Sequence, residues 1–144
     1  MATVHPYLVF NGQCEEAFLF YKSVFGGEFP YVGRFGDMPQ AEGQLEITIG
    51  DKDKIMHISL PIGNDTILMG SDTNATNDVV KMGDNISLSI NAASREEADH
   101  LFNGLSAGGI IKMPMSDTFW DAYFGMFTDK FGINWLVNFD FVKP

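Results

Sequence analysis

The sequence repeats itself, and that repeat limits what the chain can fold into more than any single motif does. The run YLVFNGQCEEAFLFYKSVFGGEF, Tyr7 to Phe29, is matched by ISLSINAASREEADHLFNGLSAGGII, Ile86 to Ile111. Each reads as strand, Asn, an Glu-Glu-Ala triplet, helix, a Gly-Gly pair and a further strand. The Asn-to-Glu spacing is four residues in one copy (Asn11, Glu15) and five in the other (Asn91, Glu96). A one-residue difference of this kind is absorbed by a loop.

In the first copy Cys14, Ala17, Phe18, Tyr21, Val24 and Phe25 recur at the spacing of one helical face. In the second, Ala98, Leu101, Phe102 and Leu105 do the same. Ser94 with Glu97 three residues later forms a capping box for the second helix, and each Gly-Gly pair suits the turn that ends a helix. Three short strands are expected after each helix: Phe29 to Phe35, Lys54 to Ile62 and Thr66 to Ser71, then Ile110 to Met115, Thr118 to Thr128 and Asn134 to Phe139. Each half is therefore read as βαβββ, and the fold class as α+β. The expected organisation is a single domain over 1–144, with a first module at 1–72, a linker at 73–84 and a second module at 85–144. The two modules are expected to form a cupped mixed sheet with the helices on its outer face. The segment from Gly36 to Asp53, with a short strand expected at Leu45 to Ile49, is read as a flap over a site.

The strands divide their side chains cleanly. Ile86, Leu88 and Ile90 oppose Asn85, Ser87, Ser89 and Asn91, and Ile133, Trp135, Val137 and Phe139 oppose Asn134, Leu136 and Asn138. Val4, Leu8 and Phe10 oppose His5, Tyr7 and Val9, while Met56, Ile58 and Leu60 oppose His57 and Ser59. One reading is a sheet with helices on one face and water on the other. The polar face, however, carries Asn, Ser, His and Tyr and almost no Lys or Glu, although the chain holds 28 charged residues. A semi-enclosed cup tolerates such neutral groups where they satisfy one another's hydrogen bonds, and this is the preferred reading.

Composition removes several function classes. A net charge of −10 repels phosphate backbones and anionic membrane surfaces, so neither nucleic acid nor membrane is expected as a partner. Cys14 is the single cysteine, which excludes an intrachain disulfide and a multi-cysteine metal cluster. Its place on the apolar stripe argues for burial over nucleophilic chemistry. No basic start and apolar stretch marks a signal peptide, no segment reaches the roughly 20 apolar residues of a membrane span, and a cytoplasmic location is expected. No G-x-S-x-G elbow or P-loop is present.

FYKSVFGG after the first strand and DKFG before the last, set in two βαβββ modules, resemble the vicinal oxygen chelate superfamily of glyoxalase I, extradiol dioxygenases and bleomycin-resistance proteins. More narrowly, YLVFNGQCEEAFLFYKSVFGGEF, RFGDMP, KIMHISLPIG, LMGSD and DTFWDAYFGMFTDKFGINW are similar to the PhnB-like branch across nearly the whole chain. The resemblance implies a divalent ion held by His, Gln or Glu side chains from both modules. Carried over residue by residue, those positions fall on or beside Tyr7 (with His5 on the same face), near Met69, on Asn85 and on Leu136. These groups do not replace hard carboxylate and imidazole ligands, so no metal and no cofactor is expected.

The expected function is small-molecule binding in the sheet cup of a homodimer. His5, Tyr7, His57, Asn85, Ser87, Asn134 and Asn138 would supply polar contacts, Met69 and Leu136 apolar ones. Trp120 and Tyr123 would offer stacking surfaces, although Trp120 also fits a core position. Sequestration of a cationic drug, as in bleomycin resistance, is one version. The alternative is a metal-dependent lyase, isomerase or dioxygenase of the same superfamily. PhnB-like domains are also often labelled 3-demethylubiquinone 3-methyltransferases, but the glycine pairs here follow helices, where a S-adenosylmethionine site needs a glycine-rich turn after a parallel strand.

Overall fold

The computed structural model describes residues 2–37, 49–74 and 79–141, so the strand expected at Leu45 lies outside the described residues but for its last position. The chain falls into two compact units, Met1–Lys81 and Met82–Pro144. The first contains β1 (Tyr7–Phe10), α1 (Cys14–Phe25), β2 (Tyr31–Arg34), β3 (Ile55–Ile62) and β4 (Thr66–Asp72). The second repeats the order with β5 (Leu88–Asn91), α2 (Arg95–Ser106), β6 (Ile110–Asp117), β7 (Ala122–Thr128) and β8 (Asn134–Asp140). Each unit carries its own four-stranded mixed sheet, ordered β1-β4-β3-β2 and β5-β8-β7-β6. In each, the first strand runs parallel to the fourth and the other neighbours are antiparallel. The repeat read in the sequence is thus a repeat of topology.

One face of each sheet is closed by its helix. Phe10, Cys14, Ala17, Phe18 and Tyr21 are fully buried together with Ile55 and Leu60, each large side chain contributing roughly 2 kcal/mol. Gly70 permits this packing, since a Cβ there would lie 2.7 Å from the Phe18 ring and 2.8 Å from the Leu8 carbonyl oxygen. The second unit uses the same device: Gly125 lies beneath Phe102, whose ring meets Phe127 edge-on at 5.1 Å. Around it Ala98, Leu101 and Leu105 bury against Trp135 and Val137.

Both helix starts are closed from within. α1 has no side-chain cap of its own; instead the buried Asp72 accepts from Gly12 N at 3.0 Å and Cys14 N at 2.9 Å, and its second oxygen accepts from Ile55 N at 2.9 Å. One carboxylate thereby ties α1 to β3 and β4. α2 is capped as expected, with Glu97 N donating to Ser94 Oγ at 3.0 Å. Glycines of positive φ follow both helices, Gly26 at 80° and Gly108 at 77°.

Several strands are shorter than expected, for local reasons. β1 begins only after Pro6, which has no N–H to give the ladder but accepts from Met69 N. The strand expected from Thr118 begins at Ala122, because Thr118 and Ala122 close a turn through three hydrogen bonds with Asp121 at φ 63°. The strand expected from Asn85 begins at Leu88. Gly83 and Ile86 instead give their carbonyls to the Asn134 side chain.

Candidate functional site

The sheet face of the first unit that α1 leaves open carries uncharged side chains. One cross-strand row runs Tyr7, Met69, Ser59, Tyr31 over all four strands, with His57 opposite Gly33 in the neighbouring row. The His57 ring sits beside both tyrosines, its centroid 5.6 Å from Tyr7 and 5.7 Å from Tyr31. Tyr7 Oη lies 3.3 Å from His57 Nδ1. The tyrosines remain 46% and 48% exposed, so these rings are at the surface of the unit.

His5 is not part of this group. Its Nδ1 accepts from Ile67 N at 3.1 Å, and Ile67 is opposite Pro61, four residues along β3 from His57. At about 3.3 Å per residue that is an offset of roughly 13 Å. The two histidines therefore do not converge on one ion.

In the second unit the open face has the rows Ser89, Leu136, Met126, Met113 and Asn91, Asn138, Phe124, Ser116. Asn138 Nδ2 donates to Asp140 at 3.1 Å and reaches Asn91 at 3.5 Å. Trp120, 53% exposed in the turn between β6 and β7, is held against Phe119 and Phe124 at 4.8 and 6.2 Å between centroids. It borders this face and is not core.

Four further expected site residues are placed elsewhere. Tyr123 is on the helix side, where its hydroxyl donates to Asp99 of α2 at 2.6 Å and Arg95 covers its ring at 4.8 Å. The bond to Asp99 raises the Tyr123 phenol above its ordinary value. Asn134 is buried with both amide hydrogens donated, to Gly83 O and Ile86 O, while its oxygen accepts from Thr128 Oγ1 at 2.8 Å. It is a clamp with little left for a ligand. Asn85 and Ser87 precede β5 and are exposed. The residue standing opposite Leu136 is Ser89, not Asn85.

Tyr31 was missing from the sequence expectation. Its signal was there, an aromatic two residues before a glycine at the start of a strand, but which face it joined depended on where β2 began.

The positions that the resemblance assigns to metal ligands do not fit a divalent ion. Tyr7 and Met69 are direct neighbours across β1 and β4, and Leu136 pairs with Ser89 across β8 and β5. The phenol, thioether, amide and isobutyl groups of Tyr7, Met69, Asn85 and Leu136, and the Ser89 hydroxyl that stands opposite Leu136, lack the charge and basicity of such a ligand set. Among the described residues no group of three or more His, Cys, Asp or Glu is arranged to hold a metal. Cys14 is fully buried, and desolvation, with the nearby Asp72 and Glu15 charges, pushes its thiol far up, so it is no nucleophile at neutral pH.

Two βαβββ units, each with a helix on one sheet face and an open face opposite, define the class: the fold of the glyoxalase/bleomycin resistance/dioxygenase, or vicinal oxygen chelate, superfamily. A glyoxylase/bleomycin resistance protein/dioxygenase domain from Frankia sp. EAN1pec shares it with a TM-score of 0.63 over 97% of this chain and 98% of that one, at 14% identity. Within the class, a family model described as 3-demethylubiquinone-9 3-methyltransferase matches residues 2–138, and the chain belongs to that family, the PhnB-like branch. It is 34% identical to protein YjdN of Escherichia coli (strain K12), covering 92% of each. Protein PA1353 of Pseudomonas aeruginosa is similar at 41% identity and a TM-score of 0.83, over 97% of this chain and 98% of that one. A putative 3-demethylubiquinone-9 3-methyltransferase, PhnB protein, from Bacillus cereus gives 25% identity and 0.72, over 96% and 99%. No helix among the described residues is long and apolar enough to cross a membrane.

Proposed function

We propose that this protein binds a small molecule on the open polar faces of its sheets without the divalent ion that metal-using members of the superfamily chelate. The observation that supports it most is the set of side chains at the positions the resemblance assigns to ligands, Tyr7 beside Met69, then Asn85 and Leu136, with Ser89 opposite Leu136: none is a hard anionic or imidazole donor, and the imidazole of His5, on the face of Tyr7, is engaged by Ile67 N. The first unit, taken by itself, offers Tyr7, His57 and Met69 as contacts on its open face; the second, taken by itself, offers Ser89, Leu136, Asn138 and Trp120. The homodimeric state and cytoplasmic location expected from the sequence belong to this proposal.

The methyltransferase description is a family name and does not carry the activity to this chain. A group bound at the first strand-to-helix turn would need its backbone amides, and Gly12 N and Cys14 N already donate to Asp72.

A thermal-shift screen of uncharged and cationic small molecules, run with and without EDTA, tests the proposal. The expected result is a stabilising compound whose effect EDTA leaves unchanged. A hit abolished by EDTA and restored by one metal would contradict it, as would silence across the screen from a well-folded protein.

A further inference from the structure

The neutral row on the first sheet says more than that something binds. Gly33 is the residue that shapes it. A Cβ at Gly33 would lie 2.6 Å from the Tyr31 hydroxyl oxygen and 2.9 Å from a carbon of its ring, so the Tyr31 side chain is folded back along its own strand, over Gly33 and towards His57. Gly33 has no positive φ, and its need is for space. On the other side Tyr7 approaches the same imidazole. His57 Nδ1 lies 3.3 Å from the Tyr7 hydroxyl, while Nε2 has no partner among the described residues and is not among the buried polar atoms left without one. The 3.3 Å contact allows the phenol to donate to Nδ1, and in the tautomer that this selects the imidazole hydrogen is on Nε2, available to an acceptor.

We infer that Tyr31, His57 and Tyr7 form an aromatic subsite for a planar, uncharged ring compound that bears a carbonyl or similar acceptor, the acceptor taking the His57 Nε2 hydrogen. This rests on the reading of metal-independent binding given above. Two exposed phenol rings offer π faces to a flat molecule. Ser59 and Met69, between them in the row, add a hydroxyl and a polarisable thioether but no charge. A carboxylate would be disfavoured by the protein's net charge of −10 and would find no cation in this row.

The test uses coumarin, a flat lactone, against two matched probes: its fully saturated octahydro analogue, which is not flat, and naphthalene, which has no acceptor. Titration by protein NMR or calorimetry is expected to give coumarin the tightest binding, with each control weaker by roughly tenfold. Gly33→Ala, which displaces the Tyr31 ring, and Tyr31→Leu are each expected to weaken coumarin by roughly tenfold while the melting temperature stays near that of the parent. His57→Phe keeps a ring but removes the N–H, and should erase the preference for coumarin over naphthalene. Equal binding of the saturated lactone, or unchanged coumarin binding in both Gly33→Ala and Tyr31→Leu, overturns the subsite. So does the absence of coumarin binding when other compounds give EDTA-insensitive shifts, a result that leaves metal-independent binding standing.

Discussion

Residues that look functional in this sequence divide into those that hold the fold and those that face outward. Asp72 belongs to the first kind: a buried carboxylate that accepts from three backbone amides. Asp72→Ala would leave those donors without an acceptor and is expected to cost about 4 kcal/mol, measured by urea unfolding. Asp129 has a similar role in the DKFG motif, accepting from Phe131 N, Ile133 N and the Trp135 indole. Cys14 gives a pH signature. Because burial raises its folded-state value above the ordinary 9.0, the folded state keeps the proton that the unfolded chain gives up, and stability falls as pH rises above about 9. Urea unfolding at pH 8 and pH 10 should show a smaller loss for Cys14→Ala than for the parent chain. An equal loss in both would mean that the thiol ionises freely in the folded protein.

At the scale of elements, the repeat made both helices and the order of all eight strands legible, because helical spacing and alternation are local properties of the chain. Strand ends were less legible, because they depend on groups far away in sequence. β5 is the clearest case: Asn85 to Asn91 alternates as a strand throughout, yet the Asn134 amide takes the carbonyls of Gly83 and Ile86 from the ladder. Asn134→Ala is expected to lose about 2 kcal/mol and to speed amide hydrogen exchange at Ser87 and Leu88. Unchanged exchange there would show that the clamp does not hold the segment. Tyr123 went to the unexpected face for a related reason. Alternation in β7 is masked by aromatic residues at 123, 124 and 127, and only the pairing of Tyr123 with Asp99 and Arg95 on α2 shows which way it points. The candidate site was therefore half legible: Tyr7, His57, Met69, Leu136 and Asn138 lie on open faces as the alternation implied. Tyr31 and Ser89 required the ladder register.

At the scale of the whole molecule, the chain has the superfamily's paired βαβββ architecture, while the positions that the resemblance associates with chelation hold phenol, thioether, amide and isobutyl groups. Restoring a ligand set now has a defined starting pair, Ser89→His with Leu136→Glu, since the register places these side chains side by side across β5 and β8. Metal independence is tested most directly by elemental analysis of the protein purified without chelator, joined to ligand titration. The expected result is less than about a tenth of an equivalent of iron, nickel, manganese or zinc, with ligand affinity unchanged by EDTA. About one equivalent of a single metal, whose removal abolishes ligand binding, would contradict it.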